Sequence, residues 1–194
     1  MRISFLASHG GSAAKHIINA IHTQQLMAEI GIVITNNKDS GIYKWCEENA
    51  VDVQYISGKT HLNESEKDKA IHQALTESGT NMIVLSGYMK KIGPVTLSGF
   101  SNRILNMHPS LLPKHGGEGL YGDRVHEAVL KSGDKESGAT VQFINEAYDE
   151  GPIIAQQKIE IAPNETVTSL KAKVQAIEGK LYLDSIQKIL HNQG

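Results

Sequence analysis

Apolar and polar positions change rhythm halfway along this chain. In the first half, short apolar runs alternate with stretches in which apolar residues recur every three or four positions. The runs are Arg2–Ala7 and residues 30–35, 51–56, 82–87 and 103–108. Between them, residues 13–24 carry Ile17, Ile18 and Ile21 at helical spacing. Residues 40–50 form a short second helix, and residues 63–78 place Ala70, Ile71, Ala74 and Leu75 on one face. The alternation predicts parallel βαβ units, because parallel strands need a crossover between them.

The second half differs. Residues 138–146 and 152–161 read as two strands parted by "AYDEG", a gap that suits an antiparallel hairpin. A long helix follows, with Asn164 and Thr166 both able to cap it. Its stripe runs Val167, Leu170, Val174, Ile177, Leu181, then Leu183, Ile186 and Leu190 with a shift of phase. The expected class is α/β: a Rossmann-like, mostly parallel sheet with helices on both faces, then antiparallel strands and a long C-terminal helix. A chain of 194 residues suits one domain spanning 1–194.

Charge and cysteine content narrow the functional classes. Nineteen basic and 21 acidic residues leave a net charge of -2, which calls for neither nucleic acid nor an anionic membrane. The N-terminal apolar stretch falls short of the roughly 7–15 residues of a signal peptide core. No run reaches the ~18 apolar residues of a membrane helix. The lone cysteine, Cys46, excludes an internal disulfide and a cysteine-rich metal site, and a cytoplasmic setting is expected.

Three stretches then offer chemistry. "ASHGGSAAK" (7–15) is a Gly/Ser turn between a strand and a helix, able to present backbone N–H groups to a phosphate. It matches neither dinucleotide nor Walker spacing. Its conformational reading is a tight turn with Ser12 as N-cap. "ILNMHPSLLPKHGG" (104–117) puts Asn106 and His108 two apart, hence on one side of an extended strand. Asn offers donor and acceptor, and His exchanges a proton near neutral pH. Pro109 and Pro113 restrict the residues before them to extended geometry, and ligands of open α/β sheets bind beyond the carboxyl ends of strands. An ordinary polar edge has the same residues. "EAYDEGP" (146–152) holds Asp149 in a turn, where Asp also occurs for conformational reasons. A carboxylate there could orient the imidazole of His108.

Taken together, "ILNMHPSLLPKHGG", "SGATVQFINEAYDEGPII" and the opening strand–loop–helix resemble the folate-dependent glycinamide ribonucleotide formyltransferases, over nearly the whole chain. The resemblance implies a catalytic trio of Asn106, His108 and Asp149, with 10-formyltetrahydrofolate as co-substrate and no metal. An amine would attack the formyl carbon, Asn106 and protonated His108 would stabilise the oxyanion, and Asp149 would support His108 and proton transfer. It also implies a substrate-phosphate loop at Ser8, Gly10, Gly11, Ser12 and Ala13, and a ribose contact at Glu178, which otherwise reads as an exposed helix position. Met89, Lys90, Lys91 and Ile92 would line the folate pocket, with Asn106, Tyr148 and Asp149 beside the same ring. The partners implied are small molecules only, and the state a monomer or homodimer.

This chain departs from the family pattern at several places. His9 replaces a usual Gly and Ala13 a usual Asn, so the phosphate loop has one side-chain donor fewer, which Lys15 or His9 could replace. Lys90-Lys91 replaces Arg followed by an apolar residue. "GGEGLYGDRVHEAV" is the longer form of its loop and places His126 on a helix. Related readings are a methionyl-tRNA formyltransferase, a deformylase, a sugar-nucleotide formyltransferase and a non-catalytic folate- or nucleotide-binding module.

Overall fold

The computed structural model describes residues 1–147 and 149–191, which fall into two compact units, Met1–Leu105 and Asn106–Gly194. The first contains β1 (Arg2–Ala7), α1 (Ser12–His22), β2 (Glu29–Thr35), α2 (Gly41–Glu48), β3 (Val53–Tyr55), α3 (Glu64–Glu77), β4 (Met82–Leu85), α4 (Pro94–Gly99) and the start of β5 (Ile104–His108). β1 lies between β2 and β4, parallel to both, β2 pairs with β3, and β4 pairs with β5 through Ile83–Ile104 and Val84–Leu105. β1 and β4 are buried along nearly their whole length, as expected for parallel strands covered on both faces.

Helix α4 has no counterpart in the sequence reading, because six residues are too few to show a period. Pro94 opens it, at a position where the missing N–H costs nothing. Its N-cap, Gly93, has no side chain, and Asp68 of α3 caps it instead. The Asp68 carboxylate accepts from Val95 N (2.8 Å), Thr96 N (3.1 Å) and the Thr96 hydroxyl (2.6 Å). A Cβ at residue 93 would lie 2.2 Å from the Asp68 carboxyl carbon, so only glycine fits that approach. Asp68 and Lys67 therefore join Ile71, Ala74 and Leu75 on the buried face of α3, while Ala70 is only half-buried.

The second unit contains the rest of β5, α5 (Asp123–Ser132), β6 (Glu136–Phe143), β7 (Ile153–Glu160) and α6 (Val167–His191). β6 and β7 are antiparallel, from Glu136–Glu160 to Gln142–Ile153. β6 ends three residues before the expected position because the hairpin closes at Gly151, where a Cβ would lie 1.7 Å from Phe143 O. Thr166 rather than Asn164 caps α6: its hydroxyl accepts from Ser169 N (3.1 Å), and Ser169 Oγ accepts from Thr166 N (3.0 Å). The buried face of α6 is Leu170, Val174, Leu181, Tyr182, Ser185 and Ile186. Val167, Ile177, Leu183 and Leu190, which the apolar stripe put in the core, are half-buried, because Tyr182 and Ser185 occupy the face at the change of phase. The strands form one mixed, mostly parallel sheet in the order β3-β2-β1-β4-β5-β6-β7.

Candidate active site

In the second unit the end of β5 carries Asn106 and His108, and the turn after β6 carries Asp149. The structure brings His108 and Asp149 together: His108 Nδ1 lies 3.4 Å from Asp149 Oδ2, with the side chains 5% and 11% exposed. His108 Nε2 lies 2.8 Å from the carbonyl oxygen of His115. A carbonyl only accepts, so Nε2 carries a proton. Nδ1 is then the nitrogen that can gain and lose one, and it faces a carboxylate. Asn106 is half-buried, and its amide has no hydrogen-bond partner among the described residues.

Asp149 is aimed by two donors. Gly117 N donates to Oδ2 (3.0 Å) and Gln142 Nε2 to Oδ1 (2.9 Å). Its backbone is left-handed (φ 57°), a conformation that Asp tolerates better than most residues. The irregular stretch 109–122 is fastened to the hairpin by polar side chains, of which Thr140 is buried and Gln156 exposed. Thr140 Oγ1 donates to Ser110 O (2.6 Å) and accepts from Leu112 N (3.1 Å), while Gln156 Nε2 donates to Leu112 O (2.9 Å). Gly116 lies against Leu112 and Asp149, where a Cβ would come within 2.4 Å and 3.1 Å of their side chains.

Helix α6 brings Tyr182 to β5. Fully buried Tyr182 meets the backbone of Met107, between the two candidate residues, and burial holds its hydroxyl well above the usual phenol range. Glu178, one turn earlier, is half-buried rather than exposed, and burial raises its carboxyl above the ordinary carboxylate range. His126 lies on α5 as expected. It is buried, and that burial lowers its pKa against the opposing pull of Asp123.

The first unit holds the other two predicted segments. The Ser8 hydroxyl is engaged inside its own loop: it donates to Asn36 Oδ1 (2.6 Å) and accepts from Met89 N (2.8 Å). One side chain thus ties the 7–15 loop to the 87–92 segment. Gly11, not Ser12, is the N-cap of α1, with φ 61° and no side-chain cap. Glycine is required there twice over, by the positive φ and because a Cβ would lie 2.7 Å from Ile42. Ser12 is the first helical residue and exposed, Gly10 is exposed, and Ala13 is buried. His9 is exposed, and the Lys15 ammonium sits 5.7 Å from the centre of the Trp45 ring, a cation–π contact. In the 87–92 segment Met89 is 47% exposed, Lys90 and Lys91 are exposed, and Ile92 is buried. Tyr88, just before them, has a buried hydroxyl, and burial pushes it up to about 12. Tyr148 lies outside the described residues.

Sequence reasoning missed Gln142, Thr140, Gln156, His115, Asp134 and Tyr182. Thr140 and Gln142 left a usable signal: two polar residues at period two inside the apolar run "GATVQFI". The others left none, since their roles rest on pairings 19 to 44 residues apart or on a backbone contact.

Comparisons with known proteins match nearly the whole chain. The family model described as formyl transferase matches residues 1–186. A chloroplastic phosphoribosylglycinamide formyltransferase of Arabidopsis thaliana is 34% identical over 189 residues, 97% of this chain and 65% of the relative. This chain thus spans just under two thirds of that relative's length. A phosphoribosylglycinamide formyltransferase of Haemophilus influenzae is 34% identical over 181 residues, 93% of this chain and 83% of the relative. The crystal structure of phosphoribosylglycinamide formyltransferase from Bacillus halodurans superposes with a TM-score of 0.90 at 30% identity, covering 100% of this chain and 97% of that one.

Proposed function

This chain belongs to the formyl transferase family, and from that premise we propose that it moves the formyl group of 10-formyltetrahydrofolate to the amine of 5'-phosphoribosylglycinamide in purine biosynthesis. The observation that carries this reading is the pairing of His108, on the strand that bears Asn106, with Asp149 from the turn after β6. The amine attacks the formyl carbon and a tetrahedral oxyanion forms. The Asn106 amide is a donor for it, and the protonated ring of His108 supplies positive charge beside it. With Nε2 committed to His115 O, protons pass through Nδ1, next to Asp149, on their way from the attacking amine to the leaving nitrogen. The formyl group arrives activated on its carrier, so the chain's part is positioning and electrostatics.

In the same reading the 7–13 turn takes the substrate phosphate. Ser8 acts there by shaping the turn, and Gly10, Gly11, Ser12 and Ala13 contribute chiefly backbone. Glu178 takes the ribose. Exposed Met89 and the backbone of residues 90–92 contribute to folate binding from the first unit, and Asn106, Tyr148 and Asp149 from the second. Residues 1–194 act as one formyltransferase domain, supported by the family match over 1–186. The partners are two small molecules and the protein is a monomer or homodimer. Among the described residues no helix is long and apolar enough to cross a membrane, and the setting in this reading is cytoplasmic.

One assay tests it. Purified protein given 10-formyl-5,8-dideazafolate and glycinamide ribonucleotide should show the absorbance change of deformylation only when both are present. Folate binding without turnover would make it a binding module, and turnover without the ribonucleotide would make it a hydrolase.

A further inference from the structure

Beside the His108–Asp149 pair stands a second pair that the proposed mechanism does not use. His115 Nε2 lies 2.8 Å from Asp134 Oδ2, and Lys114 Nζ donates to the other oxygen of the same carboxylate (3.0 Å). These two hydrogen bonds hold the Asp134 carboxyl down at about 2, so the acceptor stays charged at neutral pH. Yet the group of His115 that reaches the candidate site is its carbonyl, the acceptor for His108 Nε2 at 2.8 Å.

That carbonyl sits where backbone is hard to hold. His115 is left-handed, at φ 56°, a conformation unfavourable to a non-glycine residue. Two glycines follow, the second with φ 103°, so the peptide after His115 has little intrinsic preference for one orientation. Its direction is set from outside, and the side chain supplies the fixture. The ring is 16% exposed and tied to Asp134 in the short link between α5 and β6, whose partner Lys114 also offers its own carbonyl to Ser110 Oγ (2.7 Å).

We propose that His115 is a positioning residue for His108: its ring, anchored on Asp134, fixes the carbonyl that orients the His108 imidazole. The proposal rests on the formyl-transfer reading for its kinetic consequence alone, since the orientation of His108 is observable without turnover.

The test compares His115→Ala with His115→Gln. Both carry a Cβ at the same left-handed position, so the backbone cost is common to them. Only Gln retains an N–H that can reach Asp134. Expected for His115→Ala is a kcat lower by about tenfold with KM for either substrate within about twofold, and for His115→Gln recovery of most of that loss. Asp134→Ala should behave like His115→Ala. The second readout is the ¹⁵N chemical shifts of the His108 ring. The parent protein should show a protonated Nε2, and His115→Ala a mixture of tautomers, with His115→Gln resembling the parent. Unchanged His108 shifts in His115→Ala, or equal kcat losses in the Ala and Gln variants, overturn the proposal. If the parent transfers no formyl group, the functional reading fails while the nitrogen shifts still decide the role of His115. Should His115→Ala unfold, the shifts of His115→Gln and Asp134→Ala decide it in the same way.

Discussion

The candidate residues of the two units are built on opposite principles. In the second unit the candidates are side chains, and two of them are aimed by other groups: His108 by the His115 carbonyl and Asp149 by Gly117 N and Gln142, while Tyr182 meets the backbone between Asn106 and His108. In the 7–13 turn of the first unit Gly10, Gly11 and Ala13 have no polar side chain, the Ser8 hydroxyl is already engaged internally, and only His9 and Ser12 present exposed polar side chains. What the 7–13 turn can offer a ligand is chiefly backbone. The same number of substitutions should therefore do different things in the two places: loss of rate in the second unit, loss of affinity and stability in the first.

The largest effect belongs to the pair itself. His108→Ala and Asp149→Asn should each lower kcat by about 10²-fold or more, with KM changed little, because each removes a proton-handling or charge-bearing group felt mainly in the transition state. Steady-state kinetics with both substrates varied would check it. Near-normal rates would remove the pair from the mechanism and erase the contrast between the units.

One step outward, Gln142→Met keeps the volume and removes the donor to Asp149 Oδ1. Hydrogen bonds to charged groups contribute about 1.5–3 kcal/mol, so kcat should fall about tenfold and the melting temperature by several degrees. A rise in KM with kcat intact would show that Gln142 serves binding instead.

In the first unit the informative change is Gly11→Ala. It forces a Cβ into the Ile42 side chain and into a left-handed conformation, for about 2 kcal/mol of stability. Urea unfolding should show that loss. KM for the phosphorylated substrate should rise several-fold and kcat should hold within about twofold. If kcat falls as it does for Gln142→Met, the 7–13 turn does more than hold a ligand.

The same contrast explains what could be read from the sequence. The βαβ half was legible because buried parallel strands are continuous apolar runs, and the hairpin because "AYDEG" is a turn by composition. Asn106, His108 and Asp149 stood out as candidates by residue type, and the structure brings His108 and Asp149 together. Their holders did not stand out. Gln142 looked like a stray polar residue in a strand, His115 like a loop residue, and Tyr182 like part of an apolar helix face. The Ser12 cap was misplaced because the decisive fact, Ile42 against Gly11, joins residues 31 positions apart. Helix α4 was hidden for a similar reason, since its cap, Asp68, comes from a different helix.

Glu178 is where the contrast is most open to attack, because it is a side chain of the second unit that the proposal assigns to binding. Its carboxyl is raised by burial, so the folded protein favours the protonated form. A raised acid gives the fold an advantage that is complete below the unfolded carboxyl's pKa, about 4.3, and is lost as pH rises through the folded value. At neutral pH the buried charge is therefore a cost, and Glu178→Gln removes it. The variant should melt above the parent at pH 7, and the gap should close as pH falls towards 4, which melting curves across that range would show. The same substitution should weaken the grip on the ribose hydroxyls, raising KM for the ribonucleotide by about tenfold with kcat nearly unchanged. Higher stability together with weaker binding would mark Glu178 as a residue kept for its ligand at the expense of the fold. A variant that melts lower at pH 7 would instead make the carboxylate a structural partner within the unit, and the division between rate in one unit and affinity in the other would then stand without exception.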